Sequence, residues 1–404
     1  MDRRSRDWSA SRQMLAERAA ALSAPDRIME LEHELDAHLR DRAKGPRGFT
    51  VVREAAHEWS KAVWSEGLAQ GPAVLAPAEI ERGLSLAQRP VFICGVARSG
   101  TTLLRDLLDS HSRLAVLPTE SLFYTDMETR MFGLPPERHC AFLGCEWLER
   151  LVYPPPHWLL GAPRRGNSPY VRFARDFAAW CQVPAEPSGA MAPSWPLAAF
   201  ALAYAQRLGD GRIPPGAEMW VEKTLTNELF LERIWRDFPA AKVIHIVRRP
   251  EAVLASLKAI QGRTWSYRSA TKMCLGFMAR SYRIAANSGA QLPDDRYHLV
   301  RYEDLAASPA QVMSDIAAFL GIEPHPTMER LSVAGLPAIN NTSFGEVRPD
   351  LAQALDAVER ALLAVSVARS AAKLGYGPRD SLRWTPDPVV GAPAPEPRSR
   401  AASQ

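Results

Sequence analysis

One stretch limits what this chain can fold into more than any other: Pro90 to Glu120, PVFICGVARSGTTLLRDLLDSHSRLAVLPTE. Val91-Phe92-Ile93-Cys94 is a short apolar run that suits a buried strand. Gly95 breaks the run, and Gly95-Val96-Ala97-Arg98-Ser99-Gly100-Thr101-Thr102 reads as a loop. From Thr101 onward Leu103, Leu104, Leu107 and Leu108 recur at helical spacing. Strand, glycine-bounded loop and helix therefore follow one another directly.

The first N–H groups of a helix lack intrahelical partners, and the helix dipole is positive there. Glycines let a loop backbone approach a ligand closely. Ser99, Thr101 and Thr102 add hydroxyl groups, and Arg98 adds a planar cationic fork. These features predict a phosphate cradle. Gly95 and Gly100 match the spacing of the nucleotide-binding loop G-x-x-x-x-G-K-[ST], so the site is P-loop-like. Thr101 occupies the lysine position of that pattern. With no lysine to reach β- and γ-phosphates, the loop suits a single phosphate with Arg98 beside it.

A second stretch, AAKVIHIVRRPEAVLASLKA at residues 240–259, repeats the strand-to-helix pattern. Val243–Val247 reads as a strand, and Arg248 lies at its carboxyl end, where α/β sheets hold ligands. Pro250 opens a helix and Ser256 lies two turns into it. Arg248 can pair bidentately with a phosphate, and Ser256 can donate a hydroxyl. His245 sits on an apolar strand face and is expected to be a satisfied core histidine.

RSGTTLL after a hydrophobic strand resembles the 5′-phosphosulfate loop of the sulfotransferases. The match is to the branch with Arg before Ser-Gly-Thr-Thr, which includes tyrosylprotein sulfotransferases and many bacterial enzymes. The resemblance spans roughly Pro90 to Leu320, with residues 127–215 unmatched. It implies 3′-phosphoadenosine 5′-phosphosulfate (PAPS) as sulfuryl donor, and no metal. Arg98, Ser99, Gly100, Thr101 and Thr102 would hold the 5′-phosphate, and Arg248 with Ser256 the 3′-phosphate. Trp220-Val221-Glu222-Lys223-Thr224-Leu225 resembles a family segment whose lysine lies near the transferring group. Lys223 and Arg98 would then stabilise charge that develops during transfer. Asn227 is a further candidate for seating the nucleotide, and Asn340–Gly345 is a polar loop that could cover it. Arg301-Tyr302-Glu303-Asp304-Leu305 resembles a family R-Y-E-D-L segment, read here as structural. The R-K-G that better-known members carry near this end has no counterpart.

An acceptor hydroxyl must lose its proton as it attacks. Glu120 follows the predicted second strand, near where related enzymes carry a glutamate base. His111 is a rival, but ten residues of helix place it about 15 Å from the phosphate end. His157 is a minor candidate. An amine acceptor requires no strong base.

The strands expected are Val91–Gly95, Leu114–Leu117, Met219–Glu222, Val243–Val247 and Tyr297–Arg301. Helices are expected at Thr101–Ser110, Glu228–Asp237, Pro250–Ile260, Ser269–Asn287 and Pro309–Leu320. This alternation predicts an α/β fold with a parallel sheet and flanking helices over residues 86–386. Residues 1–85 read as a helical N-terminal appendage, with Ile28, Leu31, Leu35 and Leu39 on one stripe. That appendage suits a packing layer or a homodimer contact. Residues 127–215, rich in proline and aromatics, read as a helical insertion walling the acceptor pocket, its aromatics mostly core. Residues 387–404 lack periodicity and are expected to be disordered.

A net charge of +4 over 404 residues is too small for a dedicated nucleic-acid binder. Five cysteines without a C-x-x-C pair point to a reducing, cytoplasmic setting. Neither a secretory signal nor an apolar run long enough for a membrane span is found in the sequence. Carbohydrate, lipid, peptide and small-molecule acceptors all remain open. Two other functions also fit: a small-molecule kinase on a similar sheet, and a non-catalytic nucleotide-binding scaffold.

Overall fold

Five strands form the parallel sheet: β1 (Pro90–Cys94), β2 (Leu114–Val116), β3 (Met219–Lys223), β4 (Lys242–Val247) and β5 (Tyr297–Arg301), in the order β2-β3-β1-β4-β5. The computed structural model describes residues 23–41, 46–153, 157–163, 168–183, 192–261, 267–337 and 355–377. The Asn340–Gly345 loop and the 387–404 tail lie outside the described residues. Every predicted strand is present, with no end shifted by more than one residue. β1 lies between β3 and β4, so the chain leaves it toward opposite sides of the sheet. Such a switch point opens a crevice at the carboxyl ends of the strands.

The sheet is apolar on both faces because helices cover both. Side chains of a strand alternate between faces. Val91 and Ile93 join one core with Leu103, Leu104, Leu107 and Leu108 of α4 (Thr101–Leu108). Phe92 and Cys94 join the other, which runs through Trp220 and Val243 into a large helical layer.

That layer merges two regions that the sequence presents separately. The N-terminal helices are α1 (Ala24–Asp41), α2 (Pro46–Ala69) and α3 (Pro77–Ala87). Between β2 and β3 lie α5 (Glu128–Met131), α6 (His139–Val152), α7 (Pro169–Cys181) and α8 (Trp195–Leu208). The α1 stripe of Ile28, Leu31, Leu35 and Leu39 is buried as its spacing predicts. It shares a core with Trp59 and Val63 of α2 and with Trp147, Tyr170, Phe173 and Phe177 of the intervening helices. Trp59 meets Tyr170 edge-on at 5.0 Å, and Trp147 packs on Phe200 at 4.5 Å. Most of the described aromatics between β2 and β3 are thus core residues, with Phe132 an exposed exception.

Of the remaining helices, α9 (Leu231–Asp237) links β3 to β4, α10 (Pro250–Gln261) and α11 (Tyr267–Gln291) link β4 to β5, and α12 (Tyr302–Ala307), α13 (Pro309–Leu320) and α14 (Ala357–Lys373) come after β5. The helix expected from Glu228 starts instead as a short 3₁₀ turn over Asn227–Phe230. Thr226 is left-handed there, at φ 65°, which delays the α-helix to Leu231. No described helix is long and apolar enough to cross a membrane.

One ion pair inside the helical layer carries a pH signature. Asp176 of α7 lies 3.4 Å from Arg207 of α8, with side chains 11% and 10% exposed. Loss of solvent pushes the Asp176 carboxyl up to about 6, against the pull of Arg207. A carboxyl raised on folding contributes stability that is complete below about pH 4 and is lost as pH rises through its folded value. Asp176→Asn removes that dependence. Wild-type stability is expected to fall relative to the variant by about 1–3 kcal/mol between pH 4 and pH 7. Urea midpoints at both pH values check this, and parallel profiles rule it out.

Candidate active site

The loop after β1 is built on unusual backbone. Gly95 has φ 141°, and a Cβ there would lie 2.3 Å from the Ile246 carbonyl oxygen of β4. Arg98 is left-handed at φ 73°, and Gly100 follows at φ 105°. The loop therefore turns tightly against β4 and delivers the chain into α4. Thr101 and Thr102 open that helix, so their N–H groups face the crevice without intrahelical partners. Ser99 departs from expectation. Its side chain is fully buried and its hydroxyl donates to the Val96 carbonyl at 2.7 Å. It closes the loop and does not present a donor to a phosphate.

The two phosphate elements, far apart in sequence, meet in space. Arg98 Nε donates to Ser256 Oγ on α10 at 2.9 Å. Arg248 Nη1 donates to the Arg98 carbonyl at 3.2 Å. Both elements open on the same side, at the carboxyl ends of β1 and β4. Arg98 is exposed, yet its guanidinium is held below the ordinary value, first by loss of solvent and then by the Arg248 charge. Two cations held together repel, and an anion between them relieves the repulsion.

Tyr302 completes this corner, and the sequence reading did not place it there. Its ring lies 4.0 Å beneath the Arg248 guanidinium and closes on Gly100, where a Cβ would be 2.6 Å from Cδ2. Glu303 accepts the Arg249 N–H at 2.9 Å and the Tyr376 hydroxyl at 2.7 Å. The R-Y-E-D-L segment thus does more than join β5 to α13. The available signal was register: Val247 pairs with Arg301, so the residues just beyond each strand are neighbours.

Glu120 and Lys223 form an ion pair at the end of β3. The Lys223 side chain is 5% exposed and that of Glu120 26%. Lys223 lies in register with Ile93, beside the start of the phosphate loop. Thr226 N–H also donates to the Gly95 carbonyl at 3.1 Å, tying the two segments together. Arg105, buried in α4, donates to the Pro118 carbonyl at 2.6 Å and pairs with Asp106. The phosphate helix therefore also supports the turn that carries Glu120.

The other candidates are occupied elsewhere. Asn227 is buried and donates to Glu222 Oε2 at 2.8 Å, so it supports the loop and is not set to seat a nucleotide. His111 accepts the Arg113 N–H at Nδ1, which leaves the Nε2 proton for the Glu323 carbonyl at 3.0 Å. His157 reaches the Val152 carbonyl at 3.3 Å and stacks on Tyr153. His245 is fully buried between Tyr297 and Ser281, and burial lowers its pKa, as suits a neutral core histidine.

The sequence profile of the Sulfotransferase family matches residues 90–326. Mouse carbohydrate sulfotransferase 5 is 31% identical over an alignment that covers 22% of this chain and 27% of that protein. The match therefore spans about a quarter of that relative's length. Among solved structures, the sulfotransferase domain of the Synechococcus PCC 7002 olefin synthase aligns at 21% identity and TM-score 0.42, over 71% of this chain and 94% of that one. A sulfotransferase of Mycobacterium tuberculosis aligns at 16% identity and TM-score 0.39, over 82% of this chain and 93% of that one.

Proposed function

The chain belongs to the sulfotransferase family, and on that premise we propose that it transfers a sulfuryl group from PAPS to a hydroxyl or amine acceptor. The observation that carries the reading is the joined pair of cationic elements, Arg98 with Ser256 and Arg248 with the Arg98 carbonyl. A nucleotide with separate 3′- and 5′-phosphates fits that arrangement, and one with a single phosphate leaves half of it unused. The donor supplies an activated sulfuryl group on its 5′-phosphate. The residues of the chain supply the rest.

The N–H groups at the start of α4, with Gly100, Thr101, Thr102 and Arg98, hold the 5′-phosphate. Arg248 and Ser256 hold the 3′-phosphate. Lys223 places a positive charge where negative charge grows on the leaving oxygen and the sulfuryl oxygens. Glu120 pairs with Lys223 through Oε1 and takes the proton of an acceptor hydroxyl. Positioning along the line of transfer supplies much of the rate. The match to a mouse carbohydrate sulfotransferase supports testing a carbohydrate acceptor first. The reading places the chain in a reducing, cytoplasmic setting, to which five cysteines without a C-x-x-C pair point.

Calorimetry with adenosine 3′,5′-bisphosphate and adenosine 5′-phosphate tests the nucleotide assignment. Arg248→Ala is expected to weaken bisphosphate binding about 10–100-fold, the worth of a charge-assisted hydrogen-bonded pair. Binding of adenosine 5′-phosphate is expected to change by less than about threefold, because no 3′-phosphate is present to lose the contact. Equal losses for both ligands would remove Arg248 from the 3′-phosphate.

A further inference from the structure

Next to Lys223 lies a carboxylate with no access to water. Glu222 is 0% exposed, on β3 and in register with Phe92. Burying such a group costs several kcal/mol unless hydrogen bonds replace its hydration. Among the described residues Glu222 has no cationic partner; it is satisfied by dipoles. Its Oε1 accepts the Ser121 N–H at 3.0 Å, the Ser121 hydroxyl at 2.8 Å and the Thr224 hydroxyl. Its Oε2 accepts Asn227 Nδ2 at 2.8 Å. The Thr224 oxygen in turn accepts the Leu122 N–H at 3.1 Å. On the far side, Trp147 Nε1 of α6 donates to the Ser121 carbonyl at 2.9 Å.

Ser121 directly follows Glu120, and Thr224 directly follows Lys223. A single carboxylate therefore fastens the two backbone segments that carry the ion pair. We propose that Glu222 is a positioning residue for sulfuryl transfer, setting the distance and angle at which Glu120 and Lys223 meet the reacting atoms. This inference rests on the sulfotransferase reading above. It makes Glu222 act through the pair, without touching donor or acceptor.

The test uses the full chain and water as acceptor, so no acceptor need be known. In that reaction a water oxygen bonds to sulfur and the bond from sulfur to the 5′-phosphate oxygen breaks. The products are sulfate, protons and adenosine 3′,5′-bisphosphate. Glu222→Ala is expected to slow release of labelled sulfate from PAPS about 10–100-fold, the scale of a 1 Å misplacement. Affinity for adenosine 3′,5′-bisphosphate is expected to stay within about threefold. In a Glu120→Gln/Lys223→Met background the same change is expected to alter the rate less than about twofold, because both residues it positions are gone. Independently of turnover, acetic anhydride is expected to label the Lys223 amine about fivefold faster in Glu222→Ala, as the buried pair opens locally.

Thr224→Val removes one donor of the clamp at constant shape. It carries the test if Glu222→Ala does not accumulate folded, with an expected slowing of about 5–10-fold. Additive losses in the Glu120→Gln/Lys223→Met background, a parallel fall in nucleotide affinity, or unchanged labelling of Lys223 would each overturn the inference while leaving the sulfotransferase reading in place. A wild-type protein that neither binds the bisphosphate nor releases sulfate would remove both.

Discussion

Lys223→Met is expected to slow sulfuryl transfer by about 10³-fold while changing the affinity for adenosine 3′,5′-bisphosphate by less than about threefold. Methionine keeps most of the length and none of the charge. At 4% exposure, Lys223 sits where no bulk water can replace a missing cation. An interaction that strengthens only as charge develops raises the barrier when removed, and leaves ground-state binding alone. Glu120 loses its partner in this variant, but it is accessible enough to be hydrated. Glu120→Gln separates the two roles. It is expected to cost about 10²–10³-fold with a hydroxyl acceptor and far less with an amine, which needs no base. Transfer of labelled sulfuryl to a panel of carbohydrates, phenols and amines, with calorimetry alongside, reads both. A Lys223→Met protein that keeps more than a tenth of the wild-type rate would take the lysine out of the transition state.

The parts of this site visible in the sequence are those carried by local pattern. The apolar run at Val91–Cys94, the glycines around Arg98 and the leucines of α4 specify strand, loop and helix within twenty residues. The strand tip at Arg248 and the proline at the head of α10 do the same. What local pattern does not reveal is which side-chain donors are already taken. Ser99 looks like a ligand-facing hydroxyl until the turn at Gly95 brings it under Val96. Asn227 looks like a loop donor until β3 places Glu222 beside it. Tyr302 lies more than fifty residues from Arg248, and only the pairing of β4 with β5 makes them neighbours. The N-terminal helices and the helices between β2 and β3 likewise have compatible apolar faces, but nothing in either stretch names its partner. That information lies in long-range packing, such as Trp59 against Tyr170.

Gly95→Ala, in a buried turn, is expected to cost more stability than the same change at an exposed turn glycine such as Gly133, and to abolish nucleotide binding with it. Two penalties add. At φ 141° an L-residue occupies backbone space that costs about 1–3 kcal/mol. The new methyl also meets the Ile246 carbonyl oxygen at 2.3 Å and Ser99 Oγ at 2.9 Å. Neither neighbour is a flexible side-chain end: one is the backbone of β4, the other already closes the loop through Val96. Relieving the clash means parting β1 from β4 or lifting the loop, at a further cost of about 1–3 kcal/mol. The sum, about 2–6 kcal/mol, is a large share of the stability of an ordinary domain. Gly133→Ala separates the two penalties. Gly133 has φ 87° with no atom within 4 Å of an added Cβ, so only the backbone penalty remains. It is expected to lose about 1 kcal/mol and to bind adenosine 3′,5′-bisphosphate as wild type does. Urea midpoints and calorimetry on the two variants decide the matter. If Gly95→Ala were as stable as Gly133→Ala, the close approach of the loop to β4 would not be what holds the Arg98 carbonyl in reach of Arg248.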